Sequence, residues 1–363
     1  MSRDDKNLLT SKEITFLLVG LMTGMGILSL PNDVVKLAKQ DGWISAIIGS
    51  IYPIYIIFLS DFIIKRFPNE NLLSLSRKIL GNFFGNILNI LFGLQFMIYA
   101  TSVAAGFNNI LRTYIVSFLS PFKIYIVVFL LAAYTSSKSL KTLGKVNNAV
   151  FYITILILAF SLQAIKVGSI LNIKPVFGSG FTNIIKASKN TAFEYATVES
   201  LLLIHPFVKE KNKIKKSALK AVGISAVMYS WAVFITTFYL SADIIPKNIW
   251  SFLAVADSVK VPIINNFKYI FMFLWMQVIY KTISNEYYLF TFIFNDITKF
   301  DRKKMCIFLY PIFIYLSLMY KNETLRRKFL NFIIPKVTIF NIAFVSIVAL
   351  LIFLKKDETN ENN

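Results

Sequence analysis

Long apolar runs separated by short polar and basic segments make up most of the chain. A membrane-spanning helix needs about 20 mainly apolar residues, and ten runs approach that length. We predict helices 1 to 10 at residues 14–35, 43–64, 85–111, 124–137, 147–165, 190–208, 218–241, 267–295, 305–320 and 336–354. Two short amphipathic stretches, 70–80 and 248–259, are predicted to lie on the membrane surface. The pattern predicts an all-α integral membrane protein with ten transmembrane helices.

Predicted helix 1 contains residues that interrupt a helix. Gly24 and Gly26 flank Met25, and Pro31 follows. In a helix interior Gly costs about 1 kcal/mol and Pro about 3 kcal/mol relative to Ala, and the bilayer core cannot hydrate the freed backbone groups. We therefore predict an unwound stretch at 23–26, the alternative being a straight helix with a small-residue packing contact at Gly20 and Gly24.

Predicted helix 6 is polar in its first half, where Glu194, Tyr195, Thr197 and Glu199 lie close together, and Pro206 ends its apolar run. Two half-helices with a break near 196–199 fit this pattern. Helices 1 and 6 each open a set of five helices. Interrupted helices at matching positions indicate a 5+5 inverted repeat of the LeuT type.

This repeat divides the chain into five predicted parts. They are a cytoplasmic N-terminal segment (1–13), a first five-helix repeat (14–165), an extracellular-side loop (166–189), a second repeat (190–354) and a cytoplasmic tail (355–363). We expect a ligand where the two breaks meet, since half-helix N-termini offer NH groups to an anionic or carbonyl-bearing ligand. The predicted ligand-binding residues are Thr23, Gly24, Met25, Gly26, Ile27, Tyr99, Val103, Tyr195, Thr197, Glu199 and Thr282.

Three charged residues are predicted within the membrane: Lys281, Glu194 and Glu286. A charge near the middle of helix 8 costs about 2.5–3.5 kcal/mol on insertion scales and marks a functional site by default. Glu286 lies about 140° around the helix from Lys281, so we expect the lysine to pair with Glu194 or Glu199 of helix 6. A fixed cation in place of a coupling ion, a proton site, a structural ion pair and exposure to a water-filled vestibule remain alternatives.

Composition and charge agree with a membrane protein. Of the 363 residues, 56% are hydrophobic and 16% charged, which excludes a soluble enzyme. With the N-terminus inside, the cytoplasmic segments carry 22 of the 39 basic residues. The net charge of +20 therefore reflects topology rather than nucleic-acid binding, with both termini in the cytoplasm. The lipid bilayer is the expected partner of the basic loop 209–220.

No cofactor or metal is expected, because the sequence has one His and one Cys and lacks a P-loop and a G-x-S-x-G elbow. We therefore predict no enzyme activity.

Three segments resemble the B subunits of bacterial spore germinant receptors. Residues 24–31 (GMGILSLP) resemble the signature that opens those subunits, and 172–178 (NIKPVFG) resemble their loop before helix 6. The segment from Glu199 to His205-Pro206-Phe207 resembles their helix 6, although 195–199 (YATVE) departs from the more common aromatic-Gly-Glu form. The resemblance covers nearly the whole chain.

The resemblance implies membership of the amino acid–polyamine–organocation (APC) transporter superfamily. It also implies a place in the inner membrane of the bacterial spore, A and C receptor subunits as partners, and a small germinant, an amino acid or similar molecule, as ligand. A proton-coupled amino acid secondary transporter and a ligand-gated water or ion conduit are the alternative functions.

Overall fold

The structure, a computed structural model, describes residues 8–259 and 266–361, with side chains up to residue 354. Residues 1–7 and 362–363 of the predicted terminal segments lie outside the described residues. Within the described ranges the chain is helical, and its one β-type pairing is an isolated bridge between Leu9 and Val208.

Fifteen α-helices form the described part of the chain. They are α1 (Ser11–Met22), α2 (Gly26–Ala38), α3 (Gly42–Ile48), α4 (Ile51–Arg66), α5 (Leu72–Leu80), α6 (Asn82–Tyr114), α7 (Pro121–Ser136), α8 (Leu140–Ser161), α9 (Phe181–Glu194), α10 (Leu201–Ile204), α11 (Ile214–Leu240), α12 (Ser251–Val255), α13 (Phe267–Thr298), α14 (Arg302–Leu318) and α15 (Glu323–Glu361). The two predicted surface segments correspond to α5 and α12.

The chain is a multi-pass membrane protein by the length and apolar character of its helices. Among the described residues, the helical stretches long and apolar enough to cross a bilayer are Gly26–Arg66, Asn82–Tyr114, Leu140–Lys166, Lys211–Leu240 and Glu323–Leu354. Two shorter apolar helical stretches are Pro121–Ser136 and Val198–Phe207.

Both predicted interruptions are present. The first helix ends at Met22 and resumes at Gly26, which confirms the break predicted at 23–26. In the second, α9 ends at Glu194 and a single 3₁₀ turn at Val198–Ser200 leads into α10. Between them Thr197 has φ +84°, a left-handed conformation that is unusual for a β-branched residue. This break lies at 195–197, slightly before the predicted position.

Two predicted boundaries are wrong. Predicted helix 6 begins at Phe181 rather than at residue 190, so the end of the predicted loop 166–189 is helical. It is amphipathic, and its buried side packs against α2 and α3. Predicted helix 10 begins at Glu323, where the Asn322 side chain accepts from the backbone NH of Leu325 at 2.9 Å and caps the helix. Pro335 lies inside this helix instead of preceding it, and the helix continues to Glu361 through most of the predicted tail.

Segments predicted on the cytoplasmic side contact one another. Lys141 donates to the Leu8 carbonyl at 2.8 Å and to Glu13 at 2.6 Å, and Lys211 donates to the Pro68 carbonyl at 2.8 Å. Two further contacts belong to the same group: Arg302 to the Lys138 carbonyl and Arg66 to the Ile352 carbonyl.

Segments predicted on the opposite side form a second group. Asn32 donates to the Ile245 carbonyl at 2.8 Å, and Asp41 accepts from the backbone NH of Phe177 at 2.8 Å. These described contacts fall into two groups, one for each predicted side of the membrane.

Candidate functional site

A cavity of about 590 Å³ lies at the two helix breaks. Its walls come from the start of α2, the middle of α6, the end of α9, α13 and the first turns of α15. The lining residues include Gly24, Gly26, Tyr99, Glu194, Thr197, Thr282, Glu286 and Arg326.

The open end of α1 is held by the buried lysine of α13. The Lys281 ammonium donates to the backbone carbonyls of Gly20 and Thr23, each at 2.5 Å. The last carbonyls of a helix have no partner within it, and a cation at a helix C-terminus is favourable because of the helix dipole. Lys281 therefore acts as a cap for the broken helix.

The expected ion pair between Lys281 and a helix 6 carboxylate is wrong. Among the described residues no carboxylate lies within 4.0 Å of the ammonium. The reason is the break itself, since it leaves carbonyl acceptors at membrane depth that only a side chain can satisfy.

Tyr229 on α11 joins the two breaks. Its hydroxyl donates to the Met22 carbonyl at 2.5 Å and lies 3.2 Å from the Glu194 carbonyl, so it touches the last residue of each first half-helix. A hydroxyl has one proton, and it can therefore donate to one break at a time. Sequence reasoning missed this residue because an isolated Tyr in an apolar helix carries no distinguishing signal.

The side chain of Glu194 lies against the start of α2. A Cβ at Gly26 would overlap the Glu194 carboxylate, so only glycine leaves room for it. The first turn of α2 has no side-chain cap, and its N-cap residue is Met25. A carboxylate beside uncapped NH groups at a helix N-terminus is stabilised by the helix dipole.

Three residues that line the same cavity carry buried polar atoms without partners among the described residues. Within the described part of the chain, the Tyr99 hydroxyl, the Thr197 hydroxyl and one carboxylate oxygen of Glu286 make no hydrogen bond. Thr197 and Glu286 are 3% and 2% exposed. Buried polar groups are hydrogen-bonded in most proteins, and these three atoms are exceptions at the cavity.

The predicted site residues fall into two groups. Those that line the cavity are Gly24, Met25, Gly26, Tyr99, Val103, Glu194, Thr197, Thr282 and Glu286. Those outside its lining are Thr23, Ile27, Tyr195, Glu199 and Lys281. Glu199 is fully buried and accepts a hydrogen bond from the Tyr52 hydroxyl, which places it behind the helix break rather than in the cavity wall.

A charged cluster at the start of α15 forms the remaining wall. Glu323 accepts from Arg326 at 2.5 and 2.8 Å and from Arg327 at 2.9 Å, and Arg327 also donates to the Ile249 carbonyl at 2.6 Å. We did not predict this cluster because residues 323–335 were not assigned to a helix. The spacing Glu-x-x-Arg-Arg, which places opposite charges one turn apart on a helix, is the signal that could have revealed it.

Comparison with known proteins identifies the family. The family described as "Spore germination protein" matches residues 8–326. Spore germination protein YndE of Bacillus subtilis is 23% identical over 320 residues, covering 87% of this chain and 88% of that protein. Spore germination protein GerQB of Bacillus cereus is 21% identical, covering 75% of each chain. Spore germination protein A2 of Bacillus subtilis is 23% identical over 269 residues, covering 72% of this chain and 73% of the relative. The chain belongs to the spore germination protein family.

Proposed function

We propose that this chain is the membrane subunit of a spore nutrient-germinant receptor, which binds a small germinant in the cavity at the two helix breaks and triggers germination. The observation that carries the proposal is the cavity itself. It is lined by both helix breaks and by Tyr99, Thr197 and Glu286, each of which has a buried polar atom without a partner in the described structure. Pockets with a few convergent polar groups are the usual form of small-molecule sites.

We propose ten membrane crossings in a LeuT-like 5+5 repeat, with the APC transporters as the related superfamily. Two observations support this arrangement. The broken helices open each set of five, and the loops contact one another in two groups that follow the predicted sides of the membrane. The alternation of those groups along the chain is what ten crossings require.

The proposed mechanism is a population shift. A germinant that touches the start of α2 and the end of α9 favours the arrangement of the half-helices that fits it best. Tyr229 can donate its one proton to the end of α1 or to the end of α9. A ligand that moves one half-helix relative to the other would therefore change which break holds the hydroxyl.

A proton-coupled amino acid secondary transporter is the second candidate, and Lys281 distinguishes the two. A transporter that used Lys281 as its proton site would release the two carbonyls of α1 in each cycle. In the receptor reading the ammonium keeps both hydrogen bonds and is a fixed cation in place of a coupling ion. Gradient-driven uptake of radiolabelled amino acids into proteoliposomes by this chain alone would favour transport. Flux that does not saturate would favour the third candidate, a ligand-gated water or ion conduit.

We propose the inner membrane of the spore as the location, with both termini towards the cytoplasm and with the A and C receptor subunits as partners. The family and the multi-pass architecture support this placement. Co-purification of tagged A and C subunits with this chain from spore membranes is the expected result.

The test uses spores that carry Gly26→Val, which fills the cavity and displaces Glu194. The matched control is Gly223→Val on α11, because a Cβ there meets no atom within 4 Å. With equal protein amounts on immunoblots, we expect Gly26→Val to shift or abolish the nutrient dose–response and Gly223→Val to leave it unchanged. A normal response in Gly26→Val spores would place the site elsewhere.

A further inference from the structure

Glu194 and Glu286 are two of the four acidic residues that line the cavity, the others being Asp33 and Glu323. Glu286 is 2% exposed, and one of its oxygens has no partner in the described structure. Neither Glu286 nor Glu194 forms an ion pair within 4.0 Å among the described residues. The Lys281 ammonium donates to backbone carbonyls of α1 and forms an ion pair with neither carboxylate.

The basic side chains of the cavity wall are already engaged or exposed. Arg326 and Arg327 both pair with Glu323. The Lys36 ammonium lies 3.8 Å from the Asp33 carboxylate, and over half of the lysine side chain is exposed to solvent. Lys328, which completes the basic residues of the described lining, is exposed. Glu194 and Glu286 are therefore the acidic residues of the described lining that have no basic partner within 4.0 Å.

The place that would hold a ligand carboxylate is occupied by the protein. Free NH groups at a helix N-terminus bind anions, and the start of α2 is such a terminus. The Glu194 carboxylate fills the space against Gly26 there. A ligand does not need a carboxylate of its own to satisfy this part of the cavity.

Hydroxyl oxygens complete a set of acceptors. The Thr197 hydroxyl, 3% exposed, and the Tyr99 hydroxyl make no hydrogen bond in the described structure and line the same cavity. A primary ammonium has three donors and no acceptor, and charge-assisted bonds to carboxylates are its strongest contacts. Two carboxylates and two hydroxyls match that requirement.

We infer that the cavity binds an organic cation through a primary ammonium group, held by Glu194 and Glu286 with Thr197 and Tyr99 as further acceptors, and that a free carboxylate on the ligand is dispensable. This inference rests on the proposed function and names the ligand class of the same site. It predicts that ammonium compounds bind, with or without a carboxylate, and that sugars and carboxylates without an amine bind weakly or not at all.

The experiment compares three charge forms of one carbon skeleton on the purified full chain. The probes are L-alanine, L-leucine and L-phenylalanine, their amides, which are cations, and their 2-hydroxy acids, which are anions. Binding is measured by isothermal titration calorimetry at neutral pH, where the ammonium groups of the amides are still mostly protonated. In at least one series we expect the amino acid and the amide to bind within about tenfold of each other, and the hydroxy acid to bind about 10- to 100-fold more weakly.

The variants Glu286→Gln and Glu194→Gln should each weaken binding of the amide by about 10- to 100-fold. Asp243→Asn, at an exposed residue outside the cavity, is the matched control and should bind normally. The comparison of charge forms on the wild-type chain needs no variant, so it decides the question even if a variant does not fold. Hydroxy acids that bind as tightly as the ammonium compounds, ammonium compounds that all fail to bind, or Gln variants with wild-type affinity would each overturn the inference.

Spores separate this inference from the proposed function. If deletion of the chain alters no nutrient response, the receptor function fails while the binding preference stands on its own. If deletion abolishes a response that carboxylate-only nutrients trigger equally well, the receptor function holds and the ligand class is wrong.

Discussion

Replacement of Lys281 by Met tests the role of the buried ammonium as a helix cap. Met has a similar length and no charge, so the change removes the two hydrogen bonds to the Gly20 and Thr23 carbonyls without opening a large space. Those carbonyls lie at the end of α1, where the helix itself supplies no donor. The bilayer offers no water to replace the ammonium.

The magnitude follows from two opposing effects. Hydrogen bonds to a charged group contribute about 1.5–3 kcal/mol each, so losing both costs about 3–6 kcal/mol. The variant also recovers the about 2.5–3.5 kcal/mol that a lysine costs in the middle of a membrane helix. At the midpoints of these ranges the first effect is larger by about 1.5 kcal/mol, and we expect Lys281→Met to lower the free energy of unfolding by about that amount.

The single cysteine of the chain serves as the reporter. Cys306 is 1% exposed, so a thiol-reactive fluorophore labels it when the protein unfolds during heating in detergent. The control is Lys65→Met, whose side chain is 71% exposed and pairs with Asp61 at 2.9 Å. Exposed pairs contribute about 0–1 kcal/mol. An unfolding midpoint for Lys281→Met that equals that of Lys65→Met would refute the capping role.

Four further outcomes are expected. Tyr229→Phe should lower the free energy of unfolding by about 1–3 kcal/mol, measured by the same thiol assay, because buried carbonyls lose their donor. Thr197→Gly should unfold at a higher temperature than Thr197→Ala, since only glycine adopts φ +84° without strain. Gly26→Ala should destabilise the chain less in a Glu194→Ala background than in the wild type, as a double-mutant cycle would show, because the added Cβ overlaps that carboxylate. Hydrogen bonds from a neighbouring lysine and serine hold the pKa of Glu210 at about 2, below its usual 4.5, so the stability that it contributes is present above pH 4.5 and is lost as the pH falls towards 2. The stability difference between wild type and Glu210→Gln should therefore be constant from neutral pH to about pH 5 and shrink below it.

Patterns within one segment predicted the breaks, since glycines and polar residues in an apolar run mark a backbone that a bilayer cannot support. The site between segments was less accessible to sequence reasoning. Lys281 was identified by its depth, yet its partners are backbone carbonyls, which carry no sequence signature. Tyr229 was missed for the same reason.

Boundaries were wrong where polar residues are buried by neighbouring helices. The start of α15 is rich in charge and precedes Pro335, which suggested a loop. In the fold, Glu323 pairs with both Arg326 and Arg327, and the charged turns form a helix that closes one side of the cavity. Hydropathy alone does not distinguish a solvated polar loop from a polar helix face whose charges are paired.

The energies of these contacts bear on how a ligand could trigger the protein. A shift of a two-state equilibrium from 1:99 to 99:1 requires about 5.5 kcal/mol of differential binding. In the proposed population shift the Tyr229 hydrogen bond would be exchanged between two carbonyls rather than lost, so this bond would add little to the cost of the rearrangement. Two charge-assisted bonds to Glu194 and Glu286 would supply about 3–6 kcal/mol. If one of the two arrangements alone brings both carboxylates to the ammonium, a small cation supplies between about half and all of the free energy that this shift requires.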